Sequence, residues 1–414
     1  MERISVFGYG TTTRPIVKLL NTQGIVCAIF DDVFKQASHD QEGNALLPSS
    51  WFDPQTSDLE ILSPGIPPSH PLLQKAKHPI SEYDYFYDQF SPEYNPQSIW
   101  ISGTNGKTTT TEMLTLLLKD QGAKSGGNIG TPLAELYRQK PPLWVLETSS
   151  FTLHYTHRAY PTFYLLLPVR EDHISWHTSF EAYVQAKLKP LLIMQQDTFA
   201  LLPQEFAHRY EAKNFLGKAF YYQDIQTLAQ DVGVDTHALH FKGPFLLDAL
   251  LALQAAKIFS SRIDTTLLNT FKIGQHRMEE FHDSKGRLWV DDSKGTNVDA
   301  TLEALKSYAD KKIFLILGGD DKGADLRPIF ELARGLDIEI FAIGSNEEKL
   351  CVLAREYACV LHPCAELKNA VNAIKERLGR DGVGLLSPAA ASLDQFSSYK
   401  ERGELFCQYV TEEE

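Results

Sequence analysis

The chain has 414 residues, 43% hydrophobic and 22% charged, and its 40 Lys and Arg against 53 Asp and Glu leave a formal net charge of -13. That length exceeds one ordinary core, so two or three domains are expected. The acidic balance excludes non-specific nucleic-acid binding but not anionic nucleotides, which need only local positive groups. No apolar run is long enough for a membrane span, and Met1 to Val6 enters a strand pattern directly instead of a signal peptide. Cys27, Cys351, Cys359, Cys364 and Cys407 form no CxxC pair and no metal spacing, which fits reduced, packed thiols of a cytoplasmic protein.

The first elements alternate apolar runs at residues 4–7, 26–30 and 59–62 with helical stretches. That βαβ rhythm predicts a parallel sheet covered by helices. The first run ends in Gly8-Tyr9-Gly10 and the second in Asp31-Asp32. A Rossmann-type nucleotide site is laid out this way, with glycines under a diphosphate and an acid near a ribose. Thr13 stands where the third glycine of the fingerprint would fall, so the pattern alone is compatible with a dinucleotide, another nucleotide or a tight turn without ligand. The polar, proline-bearing residues 89–96 read as a linker, which sets a first domain at residues 1–92.

A short apolar run at residues 98–101 then leads into Ser102-Gly103-Thr104-Asn105-Gly106-Lys107-Thr108-Thr109, and residues 113–118 read as a helix. Strand, glycine-rich turn, Lys-Thr and helix make a phosphate cradle. Glycines let backbone N–H groups converge on a polyphosphate, the helix N-terminus adds positive potential, and the Lys107 ammonium can reach the terminal phosphates. The Thr108 hydroxyl can ligate magnesium. Gly103 and Gly106 are separated by two residues instead of the four of a general P-loop. Further strands are expected at residues 143–146 and 163–167. Glu147 ends the first of these, where an acid beside a phosphate loop can hold magnesium, or else cap a helix. Glu171-Asp172-His173 follows the other, Gly127-Asn128-Ile129-Gly130 is a turn ahead of a helix, and Lys187 lies in a helical stretch at residues 183–189. His177 reads as structural. A second linker near Gly274 closes a central domain at residues 93–273.

The remaining residues 274–414 again alternate strands, at 288–290, 313–317, 338–342 and 383–386, with helices. Four polar loops stand out: Gln275-His276-Arg277-Met278-Glu279, then Asp291-Asp292-Ser293-Lys294-Gly295-Thr296-Asn297, then Gly318-Gly319-Asp320-Asp321-Lys322-Gly323, and Ser387 to Phe396. Loops at the strand ends of one parallel sheet are where ligands gather.

Gly-Thr-Asn-Gly-Lys-Thr-Thr at residues 103–109 resembles the nucleotide loop of the Mur ligase and folylpolyglutamate synthase superfamily, ATP-dependent enzymes that join an amino acid to a carboxylate. The resemblance covers nearly the whole chain. It implies an α/β protein of three domains: an N-terminal Rossmann-like UDP-binding domain, a central P-loop-type ATPase domain with a parallel-rich sheet, and a C-terminal Rossmann-like domain for the amino acid. It places Thr11 and Thr12 near a UDP diphosphate, with Asp31 and Ser63 as further substrate contacts. ATP is expected on Gly103, Thr104, Asn105, Gly106, Lys107, Thr108 and Thr109, with Asp248, Arg277 and Asp292 as further nucleotide contacts. Two magnesium ions are implied, one held by Thr108 and Glu147, the other by His173 and a carbamylated Lys187, and Asn128 is set near the substrate carboxylate.

The segments DDSKGTN, GGDDKGAD and LSPAAASLDQF resemble the D-glutamate-adding branch of the family, and the Asp-Asn-Pro-Arg motif of the diaminopimelate- or lysine-adding branch is absent. By that match Lys294, Thr296, Lys322, Ser392 and Tyr399 surround D-glutamate, and the acceptor is UDP-N-acetylmuramoyl-L-alanine. The implied reaction runs through an acyl phosphate, with closure of the third domain onto the second, in a monomer with no nucleic-acid or membrane partner. One departure bears on adenine recognition: the family's His-Asn-x-x-Asn helix start is here residues 243–248, where Asp248 stands in for the last asparagine. The rivals are a ligase of the superfamily with another amino acid or a folate acceptor, and a nucleotide-binding protein without ligase activity.

Overall fold

The computed structural model describes residues 3–412 and divides into two compact units, with the boundary between Phe271 and Lys272. The first unit contains two sheets. One is built from β1 (Ile4–Phe7), β2 (Ala28–Asp31), β3 (Ser38–His39), β4 (Ala45–Pro48), β5 (Leu59–Leu62) and β6 (Pro79–Ile80), in the order β3-β4-β2-β1-β5-β6. Its pairs are parallel except for the antiparallel edge pair β3–β4.

The other sheet holds β7 (Gln97–Ser102), β8 (Ala123–Gly127), β9 (Leu143–Glu147), β10 (Phe163–Leu166), β11 (Phe199–Pro203) and β12 (Lys218–Tyr222). Its order is β12-β11-β10-β7-β9-β8 and all of its pairs are parallel. Strands buried on both faces need apolar side chains at every position, and the fully buried Phe-Tyr-Leu-Leu of β10 meets that need. From β7 the chain goes to β8 and then β9 on one side and crosses to β10 on the other. The crevice beyond the carboxyl ends of β7 and β10 is therefore the topological switch point, where α/β sheets take their ligands.

In the second unit β13 (Glu279–His282), β14 (Leu288–Asp291), β15 (Lys312–Gly318), β16 (Ile338–Ile343), β17 (Val360–Ala365) and β18 (Gly382–Leu386) lie in the order β13-β14-β18-β15-β16-β17. Only β13 runs antiparallel. The late strand β18 inserts between β14 and β15, which brings the loops after these three strands to one edge.

The two sheets of the first unit share a core that includes Ile16, Tyr83, Phe86, Trp100 and Trp144. The polar stretch after the helix Glu82–Gln89 is pinned in this unit: the Tyr94 hydroxyl donates to the Pro141 carbonyl at 3.0 Å and accepts from the Trp144 indole at 2.8 Å. The same helix carries Asp84, fully buried, whose carboxylate accepts the backbone N–H groups of His157, Arg158 and Ala159 at 2.8, 2.9 and 2.8 Å. These charge-assisted bonds satisfy a loop that would otherwise bury three donors without partners. Asp84→Ala is expected to cost the first unit about 3 kcal/mol, seen as a lower urea midpoint at unchanged slope.

Glu82 in the same helix is buried, and burial raises its carboxyl from 4.5 to about 8. The folded state therefore holds this proton while the unfolded chain has lost it. Its contribution is complete below about pH 4.5 and declines as the pH rises through about 8. Glu82→Gln should remove that slope, raising the melting temperature at the alkaline end of the window more than at the acid end.

Candidate active site

The nucleotide loop leaves β7 at Gly103, whose φ of 141° and close approach to Leu167 admit no side chain: a Cβ there would lie 2.5 Å from the Leu167 Cβ. Gly106, at φ 82°, starts the helix Lys107–Leu117, and a Cβ at that position would strike the carboxylate of Asp248. Asp248 sits in the first turns of the helix Pro244–Ser260, buried against the loop. Lys107 folds back so that its ammonium donates to the carbonyls of Gly103 at 3.0 Å and Thr104 at 2.7 Å. The Thr104 hydroxyl donates to the Arg170 carbonyl at 3.0 Å, Asn105 is half-buried at the loop tip, and Thr109 is buried in the helix.

Thr108 and Asn128 converge on one carboxylate. The Thr108 hydroxyl donates to Glu147 Oε2 at 2.7 Å and the Asn128 amide donates to Glu147 Oε1 at 2.8 Å. Glu147 itself is only 3% exposed. Its backbone carbonyl accepts from Asn128 N–H at 2.8 Å, so the turn after β8 is held to the end of β9 twice over.

Lys187, in the helix Phe180–Leu188, is 1% exposed. Its nitrogen donates to the Gly103 carbonyl at 2.7 Å and to the Ser102 hydroxyl at 3.3 Å, and lies 4.6 Å over the Tyr183 ring. Two lysines thus share the Gly103 carbonyl. Burial, reinforced by the charge of Lys107, holds Lys187 well below the ordinary lysine value, with Asp172 and Glu147 only partly opposing this. Lys189 points elsewhere, donating to the His154 carbonyl at 2.6 Å. His173 adopts a left-handed φ of 56° at the start of the helix Ile174–His177, and its ring meets Phe151 edge-on at 4.8 Å. His177 is buried against Ser150 at 2.9 Å and is pushed down to about 3 by burial and the neighbouring His154, so it is a neutral packing residue.

In the N-terminal sheet a cavity of about 320 Å³ opens at the carboxyl ends of β1, β2 and β5. Gly8, Gly10, Asp31, Asp32 and Ser63 line it, together with Ser49 and His70, which the sequence pattern did not single out. Thr11 is exposed and Thr12 half-exposed at the entrance to the helix Thr13–Thr22, and neither lines the cavity.

In the second unit Asp292 is buried and accepts from the Ser387 hydroxyl at 2.7 Å and from Met278 N–H at 3.3 Å. Burial raises its carboxyl to about 7. Lys294 donates to the Tyr399 hydroxyl at 3.4 Å, and Ser392 is buried, whereas Thr296 and Lys322 are exposed. The β15 and β18 loops are joined by a backbone pair, Asp320 with Ala391. Arg402 was illegible in the sequence. It is 1% exposed and donates to the carbonyls of Ser293 at 2.7 Å and Ala390 at 3.1 Å, which binds the β14 and β18 loops to the C-terminal helix. Arg277 follows His276, whose ring bonds the buried Asp291 at 2.7 Å.

Comparison with known proteins agrees with this layout. The model of the Mur ligase middle domain matches residues 101–231, and that of the Mur ligase glutamate ligase domain matches residues 276–390. The UDP-N-acetylmuramoylalanine--D-glutamate ligase of Helicobacter pylori is 49% identical over 418 residues, covering 99% of both chains. The enzyme of the same description from Campylobacter jejuni is 49% identical over 408 residues, again covering 99% of both. Among solved structures, the MurF ligase of Thermotoga maritima in complex with ADP superposes with a TM-score of 0.59 at 16% identity, over 86% of this chain and 88% of that one, which is a likeness of fold. A phosphate loop of this spacing, inside a match that runs along 99% of the sequence, means that the chain belongs to the Mur ligase family.

Proposed function

We propose that this protein adds D-glutamate to UDP-N-acetylmuramoyl-L-alanine at the expense of ATP, in the synthesis of peptidoglycan precursor. The choice of substrates rests on relatives described as D-glutamate ligases at 49% identity. The observation that carries the chemistry is the meeting of Lys107 and Lys187 on the Gly103 carbonyl, beside a carboxylate that Thr108 and Asn128 hold in place. A module that only bound nucleotide would have no use for a second, buried lysine there.

The reaction joins two nucleophilic substitutions. The L-alanine carboxylate attacks the γ-phosphorus of ATP, forming an acyl phosphate and releasing ADP, and the neutral amine of D-glutamate then attacks the acyl carbon and expels phosphate. Lys107 turns from the loop carbonyls toward the phosphates, where its charge stabilises the phosphoryl group in flight. Asn128 offers an amide donor next to Glu147 and orients the attacking carboxylate. The two carboxylates of D-glutamate need cationic and hydroxyl donors, which Lys294, Lys322, Thr296, Ser392 and Tyr399 supply in type.

The oxygen donors of Thr108 and Glu147, 2.7 Å apart, suit magnesium, a hard cation. Lys187 as an amine does not. As a neutral amine it can add to carbon dioxide, forming an N–C bond and releasing a proton, and a carbamate there, with His173, would offer donors that could hold a second ion. Bound there, the ions would neutralise phosphate charge. Removing its proton relieves Lys187 of a buried positive charge beside Lys107, so burial favours the reactive form.

Phosphate release by the purified protein with ATP, magnesium and UDP-N-acetylmuramoyl-L-alanine is expected to depend on D-glutamate, and not to occur with L-glutamate, L-alanine or L-lysine. Release with another of these amino acids would overturn the D-glutamate assignment, and release with none would overturn the ligase reading. Protein equilibrated with labelled bicarbonate should show a carbamate carbon resonance that Lys187→Arg lacks. That variant should also lose more than about 100-fold in kcat. A resonance that persists in Lys187→Arg would place the modification elsewhere.

A further inference from the structure

The Trp176 indole N–H is shut off from solvent and has no acceptor among the described residues. A buried donor left unpaired is costly, and its persistence in a folded protein needs a reason. Trp176 follows His173 within one turn, in the helix Ile174–His177, and its backbone N–H donates to the His173 carbonyl at 3.1 Å. Its ring is wedged among four others, with centroids at 4.4 Å for His177, 4.6 Å for Phe151, 5.2 Å for His154 and 5.7 Å for Tyr155. Phe151 is the ring that meets His173 edge-on, and His173 also stands against Tyr183, whose hydroxyl lies 3.1 Å from that of Thr104 in the nucleotide loop.

The other side of the wedge belongs to the N-terminal cavity. Trp176 packs against an apolar cluster that includes Phe30, Leu72 and Tyr155, with Ile66 beside it. Phe30, Ile66 and Leu72 line the cavity itself. Ile66 abuts the glycine turn, since a Cβ on Gly8 would come within 3.3 Å of its Cδ1, and its carbonyl accepts the Tyr155 hydroxyl at 2.7 Å. Tyr155 closes the helix Ser150–Tyr155, which follows Glu147 in the chain. One packed layer therefore runs from the wall of the cavity to His173. Packed layers switch between discrete arrangements instead of deforming continuously. The unmade bond of Trp176 brings this arrangement closer in energy to a second one in which the N–H is paired.

We propose that Trp176 is a positioning residue that couples acceptor binding in the N-terminal cavity to the nucleotide loop. A ligand that fills the cavity displaces the Ile66 segment and Tyr155, Trp176 shifts with them and pairs its N–H, and the His173 turn is reset beside the loop. ATP is then engaged productively only when the carboxylate that attacks it is in place. This role rests on the ligase reaction proposed above and on the reading of the cavity as the acceptor's.

Coupling is read without turnover, by calorimetric titration of UDP-N-acetylmuramoyl-L-alanine into the protein with and without a saturating non-hydrolysable ATP analogue and magnesium. The analogue is expected to tighten acceptor binding about 5- to 50-fold, and Trp176→Phe, which keeps a ring but has no N–H, should bring that factor below about 2 while each ligand alone binds within about threefold of the unaltered protein. Tyr155→Phe, which removes the bond to Ile66 and keeps the ring, should weaken the coupling in the same direction. Phe86→Leu, a core change whose ring packs on Tyr85 and Tyr137, should lower the melting temperature and leave the coupling intact. Full coupling in Trp176→Phe, or in Tyr155→Phe where the first variant does not fold, would overturn the proposal. So would equal loss of coupling in Phe86→Leu, or independent binding of the two ligands by the unaltered protein. A protein that binds no acceptor would overturn the proposed function and this role with it, whereas intact coupling in a protein that fails to ligate D-glutamate would overturn only the choice of amino acid.

Discussion

The carboxylate of Glu147 organises the centre of the first unit. Burying an anion is costly unless donors replace its water, and here the replacements come from the two elements that have to stay in register with the end of β9. Thr108 brings the first turn of the phosphate-loop helix and Asn128 brings the turn after β8. The backbone of the same residue accepts from Asn128 N–H, and Thr148 next to it bonds the Tyr83 hydroxyl at 3.0 Å, which ties in the helix that carries Asp84. A hydroxyl, an amide and an acid assembled in this way are already shaped for a cation and a phosphate. The network that stabilises the protein without ligand is the one a ligand would re-use.

Lys187 presents the complementary problem. A fully buried lysine whose nitrogen meets one carbonyl and one hydroxyl has too few acceptors for three N–H donors, and Lys107 lies close on the same carbonyl. Losing the proton removes the repulsion between the two lysines. Conversion to an anion goes further, since it turns that repulsion into attraction. Burial and the neighbouring Lys107 thus both favour the uncharged form of Lys187. The glycine whose carbonyl the two lysines share is required by a φ of 141° as well as by the proximity of Leu167.

How far the sequence discloses the protein depends on burial. The runs at residues 143–146 and 313–317 are legible because a parallel strand covered on both faces is apolar throughout, and those at 4–7 and 59–62 remain legible although they bury Ser5 and Glu60. β8 is not legible: Ala-Lys-Ser-Gly-Gly has no apolar pattern, and it is an edge strand whose Gly126 makes room for Leu136. β3 has two exposed residues and β13 is Glu-Glu-Phe-His at a sheet edge, so neither carries a burial signal. At the site, Gly103, Lys107 and Thr108 are readable because phosphate binding demands residue types at fixed spacing, whereas Glu147 and Asn128, far from that loop in the chain, are marked as site residues through the resemblance to the family. Arg402, Ser49 and His70 are not, since each acts on a partner far away in the chain and no local pattern marks it.

The contrast between Asp31 and Asp32 gives this a sharper form. A motif specifies that an acid stands at the end of a strand, but two adjacent acids alternate in direction, and the choice between them is made by the surroundings. Backbone N–H groups of the turn take up Asp31, while a serine after β4 and a capped histidine hold Asp32 at the cavity. The second unit repeats the pattern with its own pair. Asp291 bonds His276 and the backbone of Ser293, and Asp292 turns to Ser387 and Met278. In both sheets one acid of the pair braces the loop and the other faces a different set of neighbours. Which of two adjacent carboxylates at a strand end braces the loop is decided by the donors that the fold brings to each.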